Sequence, residues 1–335
     1  MARTELRGWI PVDAVVVNGR PGLSWMDMTG VSLVEPFFQQ TVDRLKSENT
    51  NARELFTEFD TLVQLEKTFD SVSPSGFIFH SSRCGSTLLA NACRAINGAI
   101  VLSEPPAVDK LIARFTTDVD EHAASADEHR TRETLYSIFV RAAINALGQR
   151  RTGEERHLFV KFACCSVSQI ERVRRIWPKV PWVFLYRDPV ETIVSNIQSP
   201  PAWLHDEDHR VLASIIGSSS TTVADMSPEE LCARSIGSFY SIAHRVANDR
   251  ALLLNYNQLT LAEISNVLKF FGVEPAAEEM ETIAFQSQMY SKAVIGERPF
   301  IADAGAKQSA ATDRVREMAQ RWAAEPYRLL EQKRV

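Results

Sequence analysis

Residues Gly76 to Asn97 read GFIFHSSRCGSTLLANACRAIN, a short apolar stretch that passes through a loop of small residues into a helical pattern. Phe77, Ile78 and Phe79 suit a strand buried in a parallel sheet, and Leu88, Leu89, Ala92 and Cys93 recur at helical spacing. Between them, Ser81 to Thr87 offer backbone N–H groups that can converge on one point at a helix N-terminus, where unpaired donors and the helix dipole attract an anion. Strand, loop and helix in this order predict a phosphate or nucleotide ligand.

The usual ATP or GTP loop places a Lys directly after its last Gly, whereas Ser86 follows Gly85 here and the cation is Arg83, two residues ahead of the Gly. Arg83-Cys84-Gly85-Ser86-Thr87 resembles the phosphosulfate-binding loop of sulfotransferases. A ligand-free Ser-rich turn is the plain alternative.

Working outward, Ala99 to Leu102 reads as a second strand that ends at Ser103-Glu104-Pro105-Pro106. Ligands of open parallel sheets bind beyond the strands' carboxyl ends, so Glu104 is predicted to share a crevice with Arg83. Pro106 to Phe115 reads as a helix, Asp118 to His129 as a polar loop containing solvated His122 and His129, and Arg130 to Gly148 as a long helix. His157 to Lys161 is a third strand, and Ser166 is a candidate cap for the helix carrying Ile170, Val173 and Ile176. Pro178 and Pro181 precede a fourth strand, Trp182 to Tyr186. That strand ends in Arg187 where a metal-dependent NTPase would place an Mg²⁺-binding Asp. Asp188 and Pro189 fit the N-cap and first position of the next helix, so Asp188 needs no metal to explain it.

WVFLYRDPVETIVSN (Trp182 to Asn196) carries the resemblance further: sulfotransferases place an Arg at this strand's end and a Ser eight residues later on the 3′-phosphate, which here are Arg187 and Ser195. Leu252 to Asn255 then reads as a strand, followed by Tyr256-Asn257-Gln258-Leu259 where the family has Tyr-Glu-Asp-Leu, and by Phe270-Phe271-Gly272 where it has Phe-Leu-Gly. The resemblance covers Gly76 to Gly272 and departs from the family at Cys84 and at Asn257-Gln258. The family's glycine-rich basic segment is also not obvious. Lys292, Arg298 and Lys307, in the Gly- and Pro-punctuated stretch Ser291 to Gln308, are the candidates for its role as a mobile lid.

The resemblance implies a P-loop-type α/β fold with a mainly parallel sheet flanked by helices, over residues 73–335, behind an N-terminal extension of residues 1–72. It also implies sulfuryl transfer from 3′-phosphoadenosine-5′-phosphosulfate to a hydroxyl or amine of a small-molecule or peptide acceptor. Arg83, Cys84, Gly85, Ser86, Thr87, Arg187 and Ser195 would then bind the donor, and no metal is expected. Glu104 is the candidate general base, at nearly the distance after the loop where tyrosylprotein sulfotransferases place a Glu. His80 is the reserve, because cytosolic relatives use a His; the alternative for Glu104 is a bracing role, paired to Arg83 or Lys161. Lys161 is a further candidate cation for the leaving oxygen. Rival readings are a nucleotide-dependent phosphotransferase, which would need Mg²⁺ and a Lys after Gly85, and a non-catalytic nucleotide-binding protein.

Before Gly76, Trp9 to Val17 and Leu23 to Met28 suit a hairpin around Asn18-Gly19. Leu33 to Lys46 and Arg53 to Phe69 suit helices that cover the sheet or shape a pocket. Ala311 to Gln332 is helical by pattern. A formal charge of −5 argues against a general nucleic-acid binder and makes any anion site local. The cysteines, five in number with no C-x-x-C pair, point to reduced thiols in a cytoplasm, and no apolar run is long enough to span a membrane. Cys84 beside Arg83 at a helix start is either a reactive nucleophile or structural; adjacent Cys164 and Cys165 are expected to be buried. Acceptor and oligomeric state depend on surfaces that sequence pattern does not describe.

Overall fold

A computed structural model describes residues 6–48, 53–117, 125–205, 208–292, 299 and 301–334. Its main sheet is parallel and five-stranded, and a three-stranded antiparallel sheet precedes it. In the small sheet β1 (Trp9–Val17) and β2 (Arg20–Asp27) form the hairpin expected from Asn18-Gly19. Both turn residues are left-handed, at φ 51° and 77°, as a two-residue connection between twisted strands requires.

The helix predicted over Arg53 to Phe69 is corrected. Glu54–Glu58 is instead a strand, β3, paired antiparallel with β2, and a short helix, Phe59–Leu65, follows it. Helical periodicity lost here to a partner far away in sequence: β2 has an open edge, and buried Trp25 on it donates its indole N–H to Thr57 Oγ1 at 2.9 Å. The first predicted helix begins later than expected, at Phe38 rather than Leu33.

The main sheet contains β4 (Pro74–His80), β5 (Ala99–Ser103), β6 (His157–Lys161), β7 (Trp182–Tyr186) and β8 (Ala251–Asn255), in the order β5-β6-β4-β7-β8. β4 is therefore central, and the chain's crossing from β4 to β5 leaves room for β6 between them. Register pairs Ile78 with Lys161, Ser103 with Lys161, His80 with Leu185 and Tyr186 with Asn255. All five carboxyl ends thus meet along one edge, and that edge carries the site. Side chains alternate across the sheet: Phe77, Phe79, Val160, Phe184 and Tyr186 enter one core, and Ile78, Phe159, Val183, Leu185 and Leu254 enter another. Trp25, Leu23 and Val12 of the small sheet share the first of these cores.

Helix boundaries supply further corrections. The helix expected from Arg130 begins at Ala126, because Ser125 and Glu128 form a reciprocal capping box; His129 lies in its first turn, and His122 falls outside the described residues. Ser166 caps nothing: it sits inside a 3₁₀ segment, Cys164–Gln169, and its hydroxyl donates to Asp109 Oδ1 at 3.3 Å. Cys164 is buried but Cys165 only partly. The C-terminal stretch is two helices, Asp313–Trp322 and Ala324–Lys333, against the long helix Pro228–Val246. At that junction Gly237 is required, since a Cβ there would lie 2.1 Å from the Trp322 carbonyl oxygen. Among the described residues no helix is long and apolar enough to cross a membrane.

Candidate active site

The loop after β4 is wound tightly. Ser82, Arg83 and Gly85 adopt left-handed backbone at φ 75°, 51° and 81°, costing the two non-glycine residues about 1–2 kcal/mol each. Local bonds hold the turn: Ser81 N–H donates to Leu185 O at 3.0 Å, and Ser82 donates its N–H to His80 Nδ1 at 3.1 Å and its hydroxyl to Asn196 Oδ1 at 3.0 Å. At Gly85 a Cβ would also meet the Leu259 and Tyr256 side chains at 2.9 Å, so this position needs glycine twice over. The helix Ser86–Arg94 follows, and its first intrahelical bond runs from Leu89 N–H to Gly85 O at 3.2 Å. The N–H groups of Ser86, Thr87 and Leu88 precede that bond and face the cavity end of the helix.

Cys84 borders the cavity but is not exposed to it. Its side chain is fully buried, the thiol donates to Leu185 O at 3.1 Å, and burial raises its pKa, which leaves no activated thiolate. Arg83 turns outward instead. It donates through Nη2 to the Ser199 carbonyl and, at 3.4 Å, to the Ser199 hydroxyl, while its buried Nε has no hydrogen-bond partner among the described residues.

Glu104 ends β5 in a left-handed conformation at φ 53°, with its N–H on Lys161 O at 2.7 Å. Its carboxylate is ion-paired with Lys161 Nζ and stands 3.4 Å from His80 Nε2. Burial alone would raise the Glu104 pKa, but Lys161, with His80 beside it, holds the carboxyl well below the usual carboxylate range. Lys161 is 1% exposed, against 30% for Glu104, and lies 5.1 Å from the Phe37 ring centroid. Lys161 therefore braces Glu104 from behind and is not itself among the residues lining the cavity. Burial and the Lys161 charge push the His80 pKa down to about 4. Because Nδ1 accepts from Ser82, the neutral ring carries its proton on Nε2, which faces the Glu104 carboxylate at 3.4 Å, too poorly aligned for a full hydrogen bond.

Across the cavity, Arg187 emerges from β7 and is 4% exposed. Tyr240 donates its hydroxyl to the Arg187 carbonyl at 2.6 Å, and the guanidinium lies 4.3 Å from the Tyr256 ring centroid. It pairs through Nε with Glu191 at 2.6 Å and through Nη2 with Asp303 at 2.8 Å. Burial opposes its charge, yet the Asp303 and Glu191 bonds outweigh burial and raise its pKa. Asp188 caps Pro189–Gln198 as expected, accepting from Glu191 N–H at 3.0 Å, and this helix carries Ser195 to the cavity. Of the C-terminal cations, Lys292 and Lys307 line the cavity and Arg298 lies outside the described residues. Burial and the charges of Arg83 and Lys161 push the Lys292 pKa down to about 8. Lys307 binds Asp303 at 2.6 Å.

One cavity of about 640 Å³ collects these groups: the loop residues Arg83 to Thr87, His80, Glu104, Arg187, Ser195, Lys292 and Lys307 all line it. It also takes residues that the sequence reading did not single out for the site, including Phe37, Trp203, Tyr290 and Asp303. Phe37 comes from the N-terminal stretch, so that region shapes the pocket as well as covering the sheet. Tyr256 lay at the family's Tyr-Glu-Asp-Leu position and so carried a signal; Asp303 and Trp203 carried none. Among the described residues no group of three or more His, Cys, Asp or Glu side chains converges as a metal site.

The fold is an α/β one with a P-loop-like parallel sheet, and the carboxyl edge of that sheet gathers Arg83, Arg187, Lys292 and Lys307 around one cavity. No family model matches the sequence, and no curated protein matches it. The solved structures that it resembles include sulfotransferases and a retinol dehydratase. The sulfotransferase domain of the Synechococcus PCC 7002 olefin synthase is 19% identical over 79% of this chain and 95% of its own, with a TM-score of 0.38. A sulfotransferase from Alicyclobacillus acidocaldarius is 12% identical over 79% and 97%, with a TM-score of 0.43. Retinol dehydratase in complex with retinol and PAP is 14% identical over 82% and 87%, with a TM-score of 0.34. Likeness at this level assigns no activity, and the functional reading rests on the site's own residues.

Proposed function

We propose that the protein is a sulfotransferase that moves the sulfuryl group of 3′-phosphoadenosine-5′-phosphosulfate to an acceptor hydroxyl. The observation that carries this reading is the meeting, in one cavity, of an anion-cradling loop with buried Arg187 and half-buried Ser195 from the neighbouring strand β7 and the helix after it, together with the Glu104 carboxylate. The residues fit such a donor. The first N–H groups of the loop helix lack intrahelical partners, Arg83 Nε is a buried donor with no acceptor among the described residues, and His80 Nε2–H stands at the cavity beside Glu104. Arg187 and Ser195 would hold the 3′-phosphate, with Lys307 beside them; the loop and Arg83 would hold the phosphosulfate.

In the transfer, the acceptor oxygen forms a bond to sulfur as the bridging S–O bond breaks, and the electron pair leaves on the phosphate oxygen. Arg83 meets the negative charge that grows there. The acceptor proton goes to Glu104. Held by Lys161, this carboxylate is a weak base, so it takes the proton late, once the forming bond has acidified the hydroxyl. His80 Nε2–H donates to the same acceptor oxygen. A hydroxyl has two lone pairs, one for His80 and one for sulfur, whereas a neutral amine has one, which the histidine would compete for; this favours hydroxyl acceptors over amines. Pro201, Trp203, Leu261, Met289 and Tyr290 give the remaining wall an apolar, aromatic character for the acceptor body.

A thermal-shift screen with adenosine 3′,5′-bisphosphate, 5′-AMP and Mg-ATP tests the donor assignment. The bisphosphate is expected to raise the melting temperature well above either of the others. Stabilisation by Mg-ATP alone would point to the phosphotransferase reading.

A further inference from the structure

The Arg187 end of the cavity already holds an anion, and that anion belongs to the chain. Asp303 bridges two cations, its Oδ1 accepting from Arg187 Nη2 at 2.8 Å and its Oδ2 from Lys307 Nζ at 2.6 Å. Two oxygens of one anion spanning an Arg and a Lys is also how a phosphate would engage them. Exposure separates the partners: the Asp303 side chain is 42% exposed, against 5% for Arg187 and 10% for Lys307. The cations are fixed in the wall and the carboxylate is laid over them from the open side. Glu191, the other acid on Arg187, differs in being 13% exposed and built into the same helix start that Asp188 caps. Asp303 directly precedes the short helix Ala304–Ala310, which is tied down near its end by Gln308 Nε2 to Asp188 Oδ1 at 3.1 Å. Nearby Ile301 is 77% exposed, so the chain just ahead of Asp303 is not anchored by apolar burial of that side chain.

We propose that Asp303 is an autoinhibitory counter-anion: it occupies the Arg187–Lys307 pair in the free protein, and a ligand 3′-phosphate binds by displacing it. This inference rests on the donor reading above. A dianionic phosphate outcompetes a single carboxylate for two cations, so the ligand still binds, but only the displaced state is competent. A latch closed about nine parts in ten weakens apparent affinity about tenfold. Adenosine 3′,5′-bisphosphate, the product, is released more readily for the same reason. A nucleotide without a 3′-phosphate leaves the Asp303 contacts closed and does not sense them.

The test compares the full-length wild type with D303N, and with D303E as the charge-retaining control. Calorimetric titrations use adenosine 3′,5′-bisphosphate and 5′-AMP, and amide hydrogen exchange is followed over Ala304–Ala310. D303N is expected to exchange faster there without ligand and to bind the bisphosphate about tenfold more tightly, with 5′-AMP affinity unchanged and D303E close to wild type. Adding bisphosphate to the wild type should speed exchange in the same helix. Equal or weaker bisphosphate binding by D303N, with normal binding by the wild type, would overturn the latch and leave the donor reading standing. An equal gain for 5′-AMP would overturn it too, by exposing a general charge effect. If 5′-AMP binds but the bisphosphate gains nothing from its 3′-phosphate in either protein, the donor reading falls and the latch falls with it.

Discussion

Arg83 and Arg187 line the same cavity and are held in opposite ways. Arg83 sits on a strained loop; among the described residues it is bonded only to the neutral carbonyl and hydroxyl of Ser199, and its Nε is unpartnered. Arg187 sits just past the end of β7, locked by two carboxylates and packed against Tyr256. A cation with uncommitted donors can answer charge that develops during a reaction, whereas a neutralised one can bind an anion only by exchange. The two ends of the cavity should therefore separate in kinetics: substitutions at the loop end acting on turnover, and those at the Arg187 end on nucleotide affinity.

The largest effect is expected from Glu104→Gln, which keeps the shape and much of the hydrogen bonding but removes the base. It should lose roughly 10²- to 10⁴-fold in turnover while binding adenosine 3′,5′-bisphosphate as the wild type does. Steady-state rates with a sulfated product assay check it. Near-normal turnover beside an inactive His80→Asn would transfer the role to the histidine.

Arg83→Ala comes next, with turnover at saturation expected to fall roughly 10²- to 10³-fold and bisphosphate affinity to change little. A loss confined to donor affinity would erase the distinction between the two arginines. Arg187→Ala is expected to do the reverse, weakening bisphosphate binding by roughly 1.5–3 kcal/mol and leaving 5′-AMP unaffected. Calorimetry on both ligands decides it, and bisphosphate binding equal to wild type would remove Arg187 from the 3′-phosphate site.

The smallest effect concerns pH. Lys292, with its pKa near 8, loses its charge as pH rises through that value, so bisphosphate affinity should fall between about pH 7 and 9 by no more than about fivefold. Folding stability moves the other way. Above about pH 8 the unfolded chain keeps a lysine proton that the folded chain releases, so Lys292's contribution to stability rises with pH until the ordinary lysine value is passed. Lys292→Met should flatten both trends, and a persistent slope in the variant would assign them to another group.

Much of the main sheet was legible because each strand announces itself locally: Phe77-Ile78-Phe79 and Trp182 to Tyr186 are continuous apolar runs closed by loop or helix-cap residues. The same holds for the Asn18-Gly19 hairpin, where the turn chemistry lies in the two residues themselves. β3 was not legible, since Glu54–Glu58 is extended only because β2 offers it an edge. Ser166 failed as a cap for a related reason: its hydroxyl is bound to Asp109, which lies far from it in sequence.

By itself the sequence determined the loop, the strand ends and the charges placed on them, because those follow from residue type and short-range spacing along one chain direction. Which partner each charge meets was decided by tertiary structure alone. Glu104 pairs with Lys161 because β5 and β6 are neighbours in register, and Arg187 pairs with Asp303 because a segment 116 residues away returns to the sheet edge. Coulomb attraction over a few ångströms takes no account of sequence separation, so the state of each charged group is set by what the fold brings beside it.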